Sequence, residues 1–455
     1  MSRLARLLAL AACGVAVLAF PGIAAAGHTT DPRTDNLHPL GHIIEPAVLG
    51  GFGGANPDIH TDIAFQGKLA VQGNWDGFNI RDVSAPGNPR TVSRTFCDGN
   101  QGDVLVYRDI VVRSWNTPAG TPGAFGAGLT CDGQAVPAGF EGLHVFDISN
   151  LANPVLVADI ELSARPQADS FGCGSHTATA VPDPANGRLL VYNSSSTSPA
   201  CDWIDIVSVP LSNPAGATFL RREPSMHTCH DIGVILGDVM KAACAGGTGF
   251  RVFSLGGAEG GSLTDPLLLD HVDVPGVTIG HSASWSWDGE VIIFGHEPGG
   301  GVQAACEATD PPTDRSFFFY DADTLALLGT WTLPRAQGPT ENCTLHNYNV
   351  VPTRSGRDVL VSGNYQAGTW VVDFTNPANA TTVAWSDPPP KPVPPGTPFC
   401  CDVTGAWSSY WYDGSIFESN IGEGLNVFRL SGAQTAGAIK LRHLNPQTQE
   451  FSLHD

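Results

Sequence analysis

One segment pattern returns again and again along this 455-residue chain, and it constrains the fold more than any other feature. The pattern is Gly, alternating apolar residues, Asp, an apolar residue, Ser, then Asn-Pro. It reads GFNIRDVSAPGNP from Gly77, GLHVFDISNLANP from Gly142 and GTWVVDFTNPANA from Gly368. Degenerate copies are DWIDIVSVPLSNP from Asp202, GFRVFSLGG from Gly249, SFFFYDADT from Ser316 and GLNVFRLSG from Gly424, which makes seven. Each alternates as a half-buried strand does and then ends in turn chemistry. Asp82, Asp147, Asp321 and Asp373 stand where a carboxylate can accept hydrogen bonds from the amides of the following turn.

Two further strand-like runs precede each copy, as TDIAF and KLAVQG do before Gly77, and a fourth follows, as in NPVLVADIEL. Four short strands repeated every roughly 40 to 70 residues describe propeller blades, with insertions filling the longer intervals. The 53 Gly and 35 Pro serve turns and interrupt helices, and no segment carries a helical period. The chain therefore reads as all-β: a seven-bladed β-propeller of four-stranded blades over residues 38–455, its ring closed by a terminal strand. His38 to Val48 resembles a fourth strand lacking its first three, and Ala438 to His443 competes for the same place. The pattern alone leaves that choice open.

Residues 1–26 read as a secretory signal peptide. Arg3 and Arg6 open it, Leu7 to Phe20 is apolar but short for a membrane span, and Ala24-Ala25-Ala26 offers the cleavage site. Residues 27–37 read as a flexible tail. One of the 11 cysteines, Cys13, lies in the leader, and the remaining ten suit disulfides in an exported, extracellular chain. Pairings such as Cys97–Cys131, Cys173–Cys201 and Cys229–Cys244 would staple the loops at one face. The net charge of −21 argues against nucleic acid and anionic lipid as partners, and no later segment suits a membrane span. Phosphate loops, GxGxxG after a strand, HExxH and GxSxG are absent, which disfavours nucleotide-dependent and serine-hydrolase chemistry.

The D-h-S-x-x-x-x-P blades, where h is apolar, resemble the LVIVD-repeat family of exported propellers over most of residues 60 to 430. That resemblance implies blade architecture rather than an activity. GNYQAGTWVVDFTNPANA is more loosely similar to a blade of the selenium-binding-protein and methanethiol oxidase family, which implies a link to copper-dependent oxidation. The cysteine-bearing and paired-histidine motifs of that family have no clear counterpart, so its activity is not carried over.

Aligning the copies places a histidine at the start of the innermost strand in five blades: His60, His176, His230, His281 and His346. Blade two has Asp103 there and blade seven Thr404. Innermost strands line the axis, so these side chains can converge at one mouth of the channel. The end of the neighbouring strand carries Asn74, Asn193, His296 with Glu297, Asn364 and Asn420 at the same face. Neutral imidazoles on separate rigid strands form a preorganised site for a transition metal, copper or iron before zinc. The five histidines are the candidate ligands, Glu297 and His296 the candidate catalytic pair, and Asn74, Asp103, Asn193, Asn364 and Asn420 the candidate substrate contacts. The function this suggests is metal-dependent oxidation of a small molecule. The alternative is a non-catalytic extracellular module that binds a protein or glycan with the same face; a third reading leaves the histidines purely structural, hydrogen-bonding between adjacent loops.

Overall fold

The computed structural model describes residues 27–47, 59–99, 101–116, 119, 129–162, 175–195, 203–301, 303–390 and 405–450. The leader, Cys173, Cys201, Cys400, Cys401 and Thr404 lie outside them. Seven sheets, each built on four antiparallel strands, follow one another around a ring. Blade one is built from His60–Gln66, Leu69–Asn74, Gly77–Asp82 and Arg90–Phe96, and the other blades repeat this order. In every blade the repeat segment is the third strand, from Gly77–Asp82 in blade one to Gly424–Leu430 in blade seven. Its leading glycine is required where the outer strand crosses. A Cβ on Gly142, at φ 155°, would stand 1.9 Å from the Ile160 carbonyl oxygen. The closing aspartates act as expected: Asp82 Oδ1 accepts from Ser84 N–H at 2.9 Å and Asp147 Oδ1 from Ser149 N–H at 2.8 Å.

The ring is closed by the amino-terminal segment. Leu37–Ile44 pairs antiparallel with Gly424–Leu430 and supplies the outer strand of blade seven. Glu45, just beyond it, reaches blade one and pairs with the buried Arg81 and with Arg94. Residues 27–37, read from sequence as a flexible tail, run along the outer edge of blade six. There Thr34 N–H donates to the Trp385 carbonyl at 3.0 Å and the Asn36 side chain to the Val383 carbonyl at 3.0 Å. Packing between blades is aromatic and apolar: Phe65 stacks on Tyr412 at 4.7 Å, and Phe319 on Phe374 at 4.9 Å. Disulfides join Cys97–Cys131, Cys229–Cys244 and Cys306–Cys343.

The carboxy-terminal run takes a place no blade pattern announces. His443–Leu444 pairs with the end of the first strand of blade one, and Thr448–Gln449 runs parallel to that of blade four. Between them Asn445 bonds both the N–H and the C=O of Val106, and Thr448 Oγ1 donates to Ala180 O at 2.7 Å. The segment thus crosses the inner strands of blades one to four and plugs the channel at the end away from the strand starts. No helix among the described residues is long and apolar enough to cross a membrane.

Candidate functional site: a histidine arc at the channel mouth

Four of the five registered histidines meet. His176, His230, His281 and His346 precede or open the inner strands of blades three to six, so consecutive blades deliver consecutive rings. Their centroids are 4.5 Å apart for His176–His230, 4.0 Å for His230–His281 and 4.8 Å for His281–His346. Burial lowers the pKa of each, to about 3 for His230 and His346 and well below the usual range for His176 and His281. All four are therefore neutral imidazoles at physiological pH.

Two of the four Nδ1 atoms, those of His230 and His176, close hydrogen bonds. Asp231 Oδ1 lies 3.0 Å from His230 Nδ1, and its Oδ2 lies 3.4 Å from His281 Nδ1. Asn116 Oδ1 lies 3.0 Å from His176 Nδ1. Neither nitrogen of His346 closes a full hydrogen bond, although the Gly363 carbonyl favours its charged form. His230, Asp231 and His281 also offer ligand atoms that all lie within 4.8 Å of one another.

Glu297 completes one flank. Its Oε2 is 3.9 Å from His281 Nε2, and its Oε1 accepts from the Tyr365 hydroxyl at 3.1 Å. Burial raises its pKa to about 8. Tyr365 lies against His346 with ring centroids 4.2 Å apart, and Trp407 follows at 5.8 Å from Tyr365. Beneath the arc, burial raises the carboxyls of Asp231 and Asp103 well above their usual range and lifts Asp62, whose Oδ1 accepts from Tyr410 at 2.8 Å. Among the described residues no Lys or Arg pairs with any of these four acids. A void of about 10 Å³ between Asp231, His346, Tyr410 and Gln447 leaves room for a single water before the plug begins.

The remaining candidates do not join the arc of rings. His60 is turned from the arc: its Nε2 meets the Glu45 carbonyl at 2.8 Å, beside a register shift between His60 and Ile63. His296 is buried toward the Thr313–Asp314 side, 3.9 Å from Asp314 Oδ1, and does not share the Glu297 position. The asparagines are engaged in turns. Asn74 Oδ1 accepts from Asp76 N–H at 3.2 Å, Asn420 Oδ1 from Gly422 and Glu423 N–H at 3.2 Å, and Asn364 Nδ2 donates to Gly368 O at 3.3 Å. Asn193 accepts from Ser175. Asp103 faces the channel, where its Oδ2 accepts from Ala178 N–H at 3.0 Å.

Sequence reasoning passed over Asp231 and Tyr365. Asp231 directly follows His230, and an acid beside a candidate ligand was a usable signal. Tyr365 directly follows a turn asparagine and carried none.

Fold and site together define a seven-bladed β-propeller with a histidine-lined channel mouth. Residues 138–161, the last two strands of blade two, match the family model of the LVIVD repeat. No curated protein matches the chain. Among solved structures, the β-propeller domain of Myceliophteria thermophila Cps50 (Swd1) superposes with a TM-score of 0.46 at 12% identity, covering 86% of this chain and 100% of that one. The looser similarity to selenium-binding proteins has no counterpart in these matches.

Proposed function

We propose that the mouth is a transition-metal centre, copper or iron rather than zinc, that oxidises a small molecule in a protein exported by its leader. The observation that carries this reading is the orientation of the rings. Asp231 Oδ1 and Asn116 Oδ1 meet Nδ1 of His230 and His176 at 3.0 Å, with Asp231 Oδ2 3.4 Å from His281 Nδ1, which is the outer support that metal-bound imidazoles need and would leave Nε2 of His230 and His176 as the donor.

Spacing supports the same reading. Adjacent ring centroids lie 4.0–4.8 Å apart, so imidazoles from separate strands could hold one ion together. Imidazole donors of this kind suit copper and iron. Charge supports it as well. Among the described residues the four buried acids have no Lys or Arg partner, and the field of a bound cation would favour the ionised form of Asp231, which burial disfavours. Copper or iron bound there would supply one-electron redox chemistry. The chain's own part is to hold His230 and His281 through Asp231, and to carry a proton on Glu297, whose carboxyl is poised near neutral pH beside Tyr365. Three disulfides accord with an oxidising compartment.

The test is metal analysis of untagged, exported protein beside its H230A and D231N variants. Copper or iron that disappears in H230A, and that binds about 10- to 100-fold more weakly in D231N, is the expected result. Wild-type protein that cannot be loaded with copper, iron or zinc at His230 overturns the reading in favour of a metal-free binding module.

A further inference from the structure

Outside the channel, imidazoles meet at a second place. His28 lies in the turn Gly27–Thr29, with its ring 5.2 Å from that of His42 and edge-on to Phe428 at 5.4 Å. It is 1% exposed, and neither ring nitrogen closes a hydrogen bond, although the Gly41 carbonyl favours the charged form. Burial and the neighbouring His42 lower its pKa to about 4, so the ring is a neutral donor at physiological pH. A buried imidazole that closes no full hydrogen bond is costly, and it invites a stronger partner than the Gly41 carbonyl.

The adjacent sequence indicates what partner would fit. Cleavage after Ala24-Ala25-Ala26 makes Gly27 the first residue. An α-amine followed by a histidine presents three nitrogens in succession: the amine, the His28 amide and His28 Nδ1. They close a five- and a six-membered chelate ring about one ion. Only an ion that can displace an amide proton and favours tetragonal nitrogen coordination uses that set; copper(II) and nickel(II) do so, and copper(II) binds the more strongly. The His42 ring stands beside it for a fourth nitrogen. Arg33 is the nearby opposing charge, and its guanidinium is occupied by the Thr29 and Asp31 carbonyls at 3.2 and 3.0 Å.

We infer that export creates a copper(II) site at the new amino terminus, formed by Gly27 and His28 with His42 as the fourth donor and separate from the channel. Binding releases the His28 amide proton and any proton still on the Gly27 amine. The inference rests on the leader reading and is independent of the channel metal.

The experiment uses exported protein carrying H230A and H281A, so that the channel cannot contribute, with its first residue established by intact mass. Copper(II) is titrated against this protein, against the same protein with an acetylated Gly27 amine, and against its H28A and H42A derivatives. The expected result is one equivalent with nitrogen hyperfine splitting in the electron paramagnetic resonance spectrum. That equivalent is lost on acetylation and in H28A, and its spectrum is altered in H42A. Acetylation leaves every side chain in place, so a folding defect cannot mimic the loss. A first residue other than Gly27, no bound copper, or copper that survives acetylation overturns the inference.

Discussion

The Tyr365 hydroxyl donates to Glu297 Oε1 over 3.1 Å from a residue at φ 44°, the left-handed region that favours glycine. Reciprocal 2.8 Å backbone hydrogen bonds with Ala406 hold it there. Strain of this kind persists where the surroundings over-determine the conformation, and such positions cluster at functional sites.

That hydrogen bond stabilises the ionised form of Glu297, while burial, the larger effect, pushes the carboxyl up to about 8. Removing the donor with Y365F leaves burial less opposed, so the Glu297 midpoint moves further up. Infrared titration of the protonated carboxyl band, with E297Q as the control that identifies the band, measures it. An unmoved midpoint would show that the hydrogen bond has no energetic weight.

Ring closure depends on Glu45. Arg81 is fully buried, with its guanidinium on Glu45 and on Gln72 Oε1 at 3.0 and 3.2 Å. E45A leaves that cation buried with only a neutral partner, which costs about 3–5 kcal/mol. Denaturant unfolding should show the midpoint falling accordingly, whereas a loss below about 1 kcal/mol would mean the closing strand holds without the pair.

Asp358 makes the fold sensitive to pH. Burial, with repulsion from Asp288, Asp373 and Glu290, raises its pKa to about 7. The folded state therefore holds this proton more tightly than the unfolded chain does. Its contribution is fully present below the unfolded value near 4, and is lost as pH rises through 7. D358N should flatten the decline in melting temperature between pH 5 and pH 8 and melt higher than wild type at pH 8. An unchanged slope would exclude Asp358 as its source.

The channel plug hangs on Asn445, whose amide satisfies both backbone groups of Val106 at 2.9 Å each. N445A orphans a buried donor and a buried acceptor, at a cost of about 1–3 kcal/mol for each group left unsatisfied. Hydrogen exchange at Val106 should accelerate in this variant while the outer strands keep their protection. Uniform acceleration throughout the ring would instead mean that the plug and the blades unfold together.

The blades were legible because their information is local. Alternation, a leading glycine and an aspartate-headed turn each act within a few residues, so Gly142 and Asp147 could be placed without knowing their neighbours. The candidate site was legible in part for the same reason: a histidine at the same blade position projects to the same face, and His176, His230, His281 and His346 do so. His60 holds that position too, but the Glu45 carbonyl, delivered by the strand that closes the ring, takes its Nε2. The turn hydrogen bonds of Asn74, Asn364 and Asn420 were not legible, because they depend on the backbone folded around each amide. Which terminus closes the ring depends on long-range pairing. Leu37–Ile44 meets Gly424–Leu430 across nearly the whole chain, while the residues beyond Ala438 enter the channel. Repeat count and strand order therefore followed from short-range chemistry. The direction of His60, the shared role of Asp231 and the plugged channel arose from contacts between segments far apart in the chain, whose geometry no local pattern encodes.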